Sequence, residues 1–303
     1  MPTAADTELA TPTRSFIYGM ADAHGHLDTD FLYVAAEAVG FTTTKLRLGL
    51  KRMTEEGLLT SVGRGRKASI SLTPVGLDDR SPDLAWTSVA YRADAGLDPW
   101  DGVWHLVSFE IPEQQRTARD AVRNQLVDLF GGQLSGGLYL STFAWEPWID
   151  AIAAIHGVAD RITFIETTAL THAGRTDAAE IAELMWPVAT VDQGYRTFID
   201  RWTPLLSSVP SDVRVAVRAA FEAANHFEAA MRADALLPAE LVPTDFGGPE
   251  ARALFRHLID ALATHSELAE TSLFSAYRDA QDHALGQTQR EFWTDVYDQT
   301  SAP

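Results

Sequence analysis

The chain contains no cysteine, and positive charge is scarce: 24 lysines and arginines stand against 42 aspartates and glutamates. Without thiols there can be no disulfide and no cysteine-ligated zinc or iron–sulfur centre. No window approaches the ~18 consecutive apolar residues of a transmembrane helix. Residues 1–13 (MPTAADTELATPT) lack the apolar stretch of a signal peptide and read as a disordered start, so a cytoplasmic protein is expected. A formal net charge of −18 argues against a general nucleic-acid coat, because most of the surface should repel phosphate. Core-forming material is ample. With 46% hydrophobic residues in a chain of 303, two or three domains are expected.

The few cations are not spread evenly. All three lysines (Lys45, Lys51 and Lys67) lie in residues 42–68, TTTKLRLGLKRMTEEGLLTSVGRGRKA, with Arg47, Arg52, Arg64 and Arg66. Seven of the 24 cations thus meet only two of the 42 carboxylates, Glu55 and Glu56, for a local charge of +5; the remainder carries −23. A cationic island on so acidic a chain marks a surface that meets a polyanion.

The pattern around that island gives it a shape. SFIYGMADAHG (15–25) reads as a helix ended by Gly25, and Asp28 caps a second through FLYVAAEAV to Gly40. Thr42 caps a third, closed by Glu55-Glu56-Gly57, in which Leu46, Leu50 and Met53 form an apolar stripe at i, i+4 and i+7. Thr44, Arg47 and Lys51 form a polar, positive stripe suited to a major groove. LLTSV (58–62) and KASISLT (67–73) flank Gly63-Arg64-Gly65-Arg66, a hairpin with a basic tip. Three helices and a hairpin make a winged helix-turn-helix over 14–76, with the helix from Thr42 as recognition helix. Thr43, Thr44 and Arg47 are expected to face base edges, and Lys45, Lys51 and Arg52 to lie nearer phosphates. Arg64, Arg66 and Lys67 would set the wing against backbone or minor groove. A basic helix face is commonly just solvated; the caps, the hairpin and the confinement of lysine together favour the DNA reading.

Beyond this, residues 77–99 mix Pro, Gly and Asp with an apolar patch around Trp86 and read as a linker holding at most one short element. Strands at 103–111, 137–143 and 161–170 alternate with helices at 113–130 and 148–156, and Ala118, Val122, Leu126 and Leu129 stripe the first of these helices. This β-α-β-α-β order predicts a ferredoxin-like α+β domain over 100–172. Residues 175–295 read as a helical effector or dimerisation domain, broken at Pro187, Pro204, Pro210 and the loop 238–249. The expected fold class is α+β multidomain: winged helix-turn-helix, ferredoxin-like centre, helical C-terminal domain.

Two other chemistries have candidate residues. Asp22-Ala23-His24-Gly25-His26 carries the HxH with which metal-dependent hydrolase barrels begin, but the further βα units and ligands of such a barrel are missing. Glu110, Glu113 and Asp101 offer carboxylates, although Glu113 is better placed to open a helix. No GxSxG, P-loop or GxGxxG occurs. No catalytic residue, cofactor or metal site is therefore expected.

Several segments together carry a resemblance. GFTTTKLRLGLKRMTEEGLL (40–59), Gly65-Arg66-Lys67 with Leu72-Thr73, and above all WDGVWHLVSFEIPE (100–113) are similar to the PaaX-type transcriptional repressors of phenylacetic-acid catabolism. Arg116, Arg119-Asp120, Gly132-Gln133-Leu134, Gly137-Leu138-Tyr139, LPAELVP (237–243) and ARALFRHL (251–258) extend it across roughly residues 14–260. The resemblance implies a homodimeric repressor that binds double-stranded operator DNA. It also implies release by a small-molecule effector, of which phenylacetyl-CoA is the family's best-known example; an acyl- or aryl-CoA thioester is the expected class. The middle domain would be similar to the ferredoxin-like CRISPR adaptation nuclease, where an Asp closes the first strand; Glu110 stands here, and no nuclease activity is implied. Ser69 and Ser71 depart from the wing aromatics usual in the family. A winged helix that docks a protein partner, as an adaptor, is the remaining alternative.

Overall fold

The computed structural model describes residues 12–63, 69–79 and 81–300. The first elements are α1 (Thr13–Met20), β1 (His26–Leu27), α2 (Thr29–Ala38), α3 (Thr43–Glu55), β2 (Leu59–Val62), β3 (Ser69–Leu72), α4 (Pro74–Asp78) and α5 (Ser81–Asp94). Next come β4 (Trp104–Phe109), α6 (Arg116–Asp128), β5 (Gly132–Ser135), β6 (Leu138–Ser141), α7 (Glu146–Ile155) and β7 (Ile162–Thr167). The chain closes with α8 (Ala178–Met185), α9 (Val188–Leu206), α10 (Val213–Met231), α11 (Gly248–Leu262), α12 (Ser266–Ala269), α13 (Ser275–Gly286) and α14 (Gln289–Thr300).

The chain forms two compact units: residues 1–88, 193–232 and 247–286 in one, and 89–192, 233–246 and 287–303 in the other. The segments expected from the sequence run consecutively, whereas both units gather stretches far apart in the chain.

In the first unit the caps anticipated for α2 and α3 are present. Asp28 accepts from the Phe31 amide at 3.0 Å and Thr42 from the Lys45 amide at 3.1 Å. Gly40 and Gly57 leave the two helices with φ of +81° and +76°, a region costly for any residue with a Cβ. Leu46, Leu50 and Met53 are buried as their spacing requires. The α1 helix ends at Met20, before Gly25, because the chain turns out to form β1; β1 pairs with β3, which in turn pairs with β2, all antiparallel. Against this small layer lie helices from the C-terminal half. Phe16 of α1, fully buried, has its ring centroid 5.0 Å from both Phe41 and Phe221 of α10; burying one such ring contributes about 1.5–3 kcal/mol. The Arg218 guanidinium on α10 donates to the Ala38 carbonyl at 2.8 Å, and the Leu273 amide donates to Gly19 at 3.1 Å. Phe198, Phe227 and Phe255 bind α9, α10 and α11 together, the last two rings stacked at 4.3 Å. Pro204 does not break α9, contrary to the expectation from the sequence: it forgoes the bond its amide would have made to the Asp200 carbonyl, but the helix runs only two residues further, to Leu206.

In the second unit the order is β4-α6-β5-β6-α7-β7, and the strands lie β5-β6-β4-β7, all antiparallel. This β-α-β-β-α-β order fits a ferredoxin-like domain. Its strand β5 was not anticipated, since four residues around Gly132 offer little alternation. Trp104, Leu106 and Leu140 turn one sheet face toward Ile181, Ala182 and Trp186 of the α8 segment. The expected stripe of α6, Ala118, Val122, Leu126 and Leu129, is buried. Within the stretch expected to be a linker, residues 81–94 are helical. There Arg92, 1% exposed, places Nε and Nη2 at 2.7 and 3.0 Å from the two carboxylate oxygens of Asp98.

Candidate nucleic-acid interface

The α3 helix is amphipathic in an unusual sense: one face is aliphatic and buried, the other hydroxylic and cationic. Thr43, Thr44, Lys45, Arg47, Lys51 and Arg52 are all exposed. Lys45 holds its ammonium 3.8 Å from the centroid of the Phe41 ring, a cation–π contact that leaves its other side to solvent. Lys51 and Arg52 each meet a carboxylate one turn on, Glu55 at 3.5 Å and Glu56 at 3.7 Å. Such exposed i,i+4 pairs contribute only about 0.3–0.5 kcal/mol, so either cation is readily given up to a stronger anion. Among the described residues Arg47 has neither an ion-pair nor a hydrogen-bond partner.

One residue of this face was passed over in the sequence because it is apolar. Leu48 is 65% exposed, and with Thr44, Arg47 and Lys51 it completes the spacing i, i+3, i+4, i+7 of a single helical stripe. The spacing alone would have revealed it.

The hairpin is tied to the end of this helix. β2 and β3 pair from Leu59↔Leu72 to Val62↔Ser69. At the base Thr73 is a clasp: its amide donates to the Leu58 carbonyl at 3.0 Å and its hydroxyl to the Gly57 carbonyl at 2.7 Å. The same hydroxyl accepts from the Gly76 amide at 3.1 Å, capping α4. Tyr18 on α1 donates to Asp79 at the far end of α4 at 2.7 Å. Burial, reinforced by that carboxylate, raises the phenol well above its usual range. The expected wing-tip residues Arg64, Arg66 and Lys67 lie outside the described residues.

The rival sites fare differently. Asp22 spends its carboxylate on the backbone, accepting from the amides of His24 and His26 at 2.8 Å each, while the two imidazole rings stand 6.4 Å apart. Glu113 pairs with Arg119, and Asp101 accepts from the Val103 amide at 2.8 Å. Among the described residues neither set gathers three metal-ligating atoms. A different trio does: His105, Glu146 and Glu166 hold one ligand atom each within 4.8 Å of one another. Burial lowers the His105 imidazole, but the hydrogen bond and charge of Glu146, aided by Glu166 and Asp101, outweigh it and leave the group raised.

Comparison with known proteins decides the lineage. Residues 97–182 match the model of the PaaX protein central Cas2-like domain, and residues 186–269 that of the PaaX-like protein C-terminal domain. The transcriptional repressor PaaX of Escherichia coli (strain K12) is 29% identical over 274 residues, 86% of this chain and 84% of that protein. The chain belongs to the PaaX family. An uncharacterized protein of Mycobacterium tuberculosis, Rv0674, is 20% identical with a TM-score of 0.51, over 87% of this PaaX-family chain and 91% of its own. That likeness speaks for the fold alone. Among the described residues no helix is long and apolar enough to cross a membrane.

Proposed function

We propose that this PaaX-family chain is a sequence-specific, homodimeric transcriptional repressor without enzymatic activity. Residues 14–76 act as a winged helix-turn-helix. The observation that carries the reading is the α3 face: exposed Thr44, Arg47, Leu48 and Lys51 on one stripe, backed by buried Leu46, Leu50 and Met53. Thr43, Thr44 and Arg47 read base edges, and Leu48 meets a thymine methyl, the apolar feature of the major groove. Lys45, Lys51 and Arg52 neutralise phosphates, and Arg64, Arg66 and Lys67 extend the contact through the wing. Two-fold pairing sets the two α3 helices about 34 Å apart on a near-palindromic operator.

A small-molecule effector, an acyl- or aryl-CoA thioester, releases the operator by binding the DNA-incompetent state more tightly. A hundredfold loss of operator affinity needs only ~2.7 kcal/mol of such coupling. The α10 contacts give the helical segment a physical handle on α1 and α2, through Phe221 against Phe16 and Arg218 on the Ala38 carbonyl.

The test is selection of full-length chain on a random duplex library, followed by salt titration on the enriched sequence. Neutralising eight phosphates per dimer gives a log–log slope near about −7. Arg47→Ala is expected to cost about 1–3 kcal/mol and relax one base position. A salt-independent affinity, or a library that yields no preferred sequence, overturns the reading; salt-insensitive capture of a protein partner would establish the adaptor instead. A thermal-shift panel of CoA thioesters, with coenzyme A alone as control, tests the effector class.

A further inference from the structure

We propose that His105, Glu146 and Glu166 form a binding site for a divalent transition-metal ion in the central domain. The three residues come from three elements that the fold brings to one point. His105 on β4 is directly opposite Glu166 on β7, and cross-strand partners in an antiparallel pair project from the same sheet face. Trp104 and Leu106, the neighbours of His105, enter the core on the other face. Glu146 is the first residue of α7, and its Oε1 stands 2.8 Å from His105 Nδ1. One donor atom from each residue fits within 4.8 Å. Ligand bonds of about 2.0–2.2 Å to zinc place neighbouring donors roughly 3.3 Å apart, so a small inward swing of the carboxylates closes the site. Both carboxylates have room for it: Glu166 is exposed, and the Glu146 side chain is 22% exposed.

Charge points the same way. His105 is 7% exposed, yet its surroundings are anionic, and among the described residues neither Glu146 nor Glu166 pairs with an arginine or lysine. A buried imidazole beside two carboxylates, neither of them held by an arginine or lysine, presents three donors to which a dication would bring opposite charge. One nitrogen and two oxygen donors select Zn²⁺, a borderline ion, and admit Mn²⁺ ahead of Mg²⁺, which favours an all-oxygen shell. Glu110, Glu113 and Asp101, the carboxylates singled out in the sequence, take no part. Bound metal would pin the start of α7 to two strands of the sheet.

The experiment uses full-length chain stripped with chelator and titrated calorimetrically with Zn²⁺, Mn²⁺ and Mg²⁺, with the bound metal counted by elemental analysis. One Zn²⁺ or Mn²⁺ per chain, with Mg²⁺ far weaker, is the expected result. His105→Gln should weaken binding at least about 100-fold and Glu166→Gln about tenfold or more. Co²⁺ substituted at the site should show visible absorption that disappears in both variants. Glu166 is exposed, so its variant is expected to fold even if the buried His105→Gln does not. His24→Ala, at the other histidine pair, should leave the affinity unchanged. The proposal fails if no ion binds below millimolar concentration, if Glu166→Gln retains full affinity, or if His24→Ala abolishes binding.

Discussion

Gly76→Ala tests the clasp that joins the end of α3 to the hairpin. A Cβ at Gly76 would stand 2.2 Å from the Leu58 carbonyl oxygen and 3.1 Å from its carbon, where separations under 3.0 Å are essentially never found. Backbone must therefore move, since neither atom is the end of a pliable side chain. Moving the Leu58 carbonyl strains the bond it accepts from the Thr73 amide at 3.0 Å; moving α4 strains the one from Gly76 to the Thr73 hydroxyl at 3.1 Å. Each such bond contributes about 0.5–1.5 kcal/mol net, and overpacking of this kind costs a further ~1–3 kcal/mol. Against these stands about 1 kcal/mol gained by replacing glycine in a helix. The balance is a loss of about 0.5–3.5 kcal/mol, or roughly 1–14 °C in Tm for a unit of this size. Differential scanning calorimetry of the full chain reads it directly, with operator binding measured below the transition. Gly136→Ala, where an added Cβ meets nothing within 4 Å, is the control. A Gly76→Ala protein within a degree of wild type would refute the claim that the Leu58 carbonyl is held rigidly over α4.

Arg92→Leu strands the Asp98 carboxylate, whose side chain is 11% exposed, and should cost about 3–5 kcal/mol. The double variant with Asp98→Asn should recover much of it in urea denaturation, and simple additivity would argue against a coupled pair. Glu55→Gln releases Lys51 from its i,i+4 partner and should tighten DNA binding about twofold per protomer, from ~0.3–0.5 kcal/mol, without altering sequence preference. A changed preference in library selection would place Lys51 on a base. His226 accepts from the Trp202 indole at 3.2 Å, and burial, with the charge of Arg201, lowers its pKa. Its contribution is therefore complete above the unfolded value near about 6.5 and is lost as pH falls through the depressed folded value. Tm measured from pH 7.5 downward should fall more steeply in wild type than in His226→Gln, and parallel curves would remove His226 as the cause.

Local rules made much of this molecule legible. Caps at Asp28 and Thr42, glycine exits at Gly40 and Gly57, and the buried stripes of α3 and α6 could all be read from spacing, because each depends on residues within two turns. Strands β1 and β5 could not: two and four residues are too few for alternation to show. The helix α5 was hidden by the proline, glycine and aspartate of its surroundings. Nor does any periodicity state that α10 packs on α1 and α2, since Phe16 and Phe221 meet through shape across some two hundred residues. The His105 trio was invisible for the same reason. Its members are ordinary residues until the register of β4 on β7 and the first turn of α7 bring them together.

The confinement of lysine has a practical side. Lys45 and Lys51 are the side-chain amines among the described residues, and both are exposed on α3. Reagents that acylate amines will therefore modify this helix, and coupling the protein to a sensor surface through these amines would fasten it by the face proposed to meet DNA. Bound operator would shield the same two amines, so their acylation, read by mass spectrometry, becomes a footprint written on the protein instead of the nucleic acid.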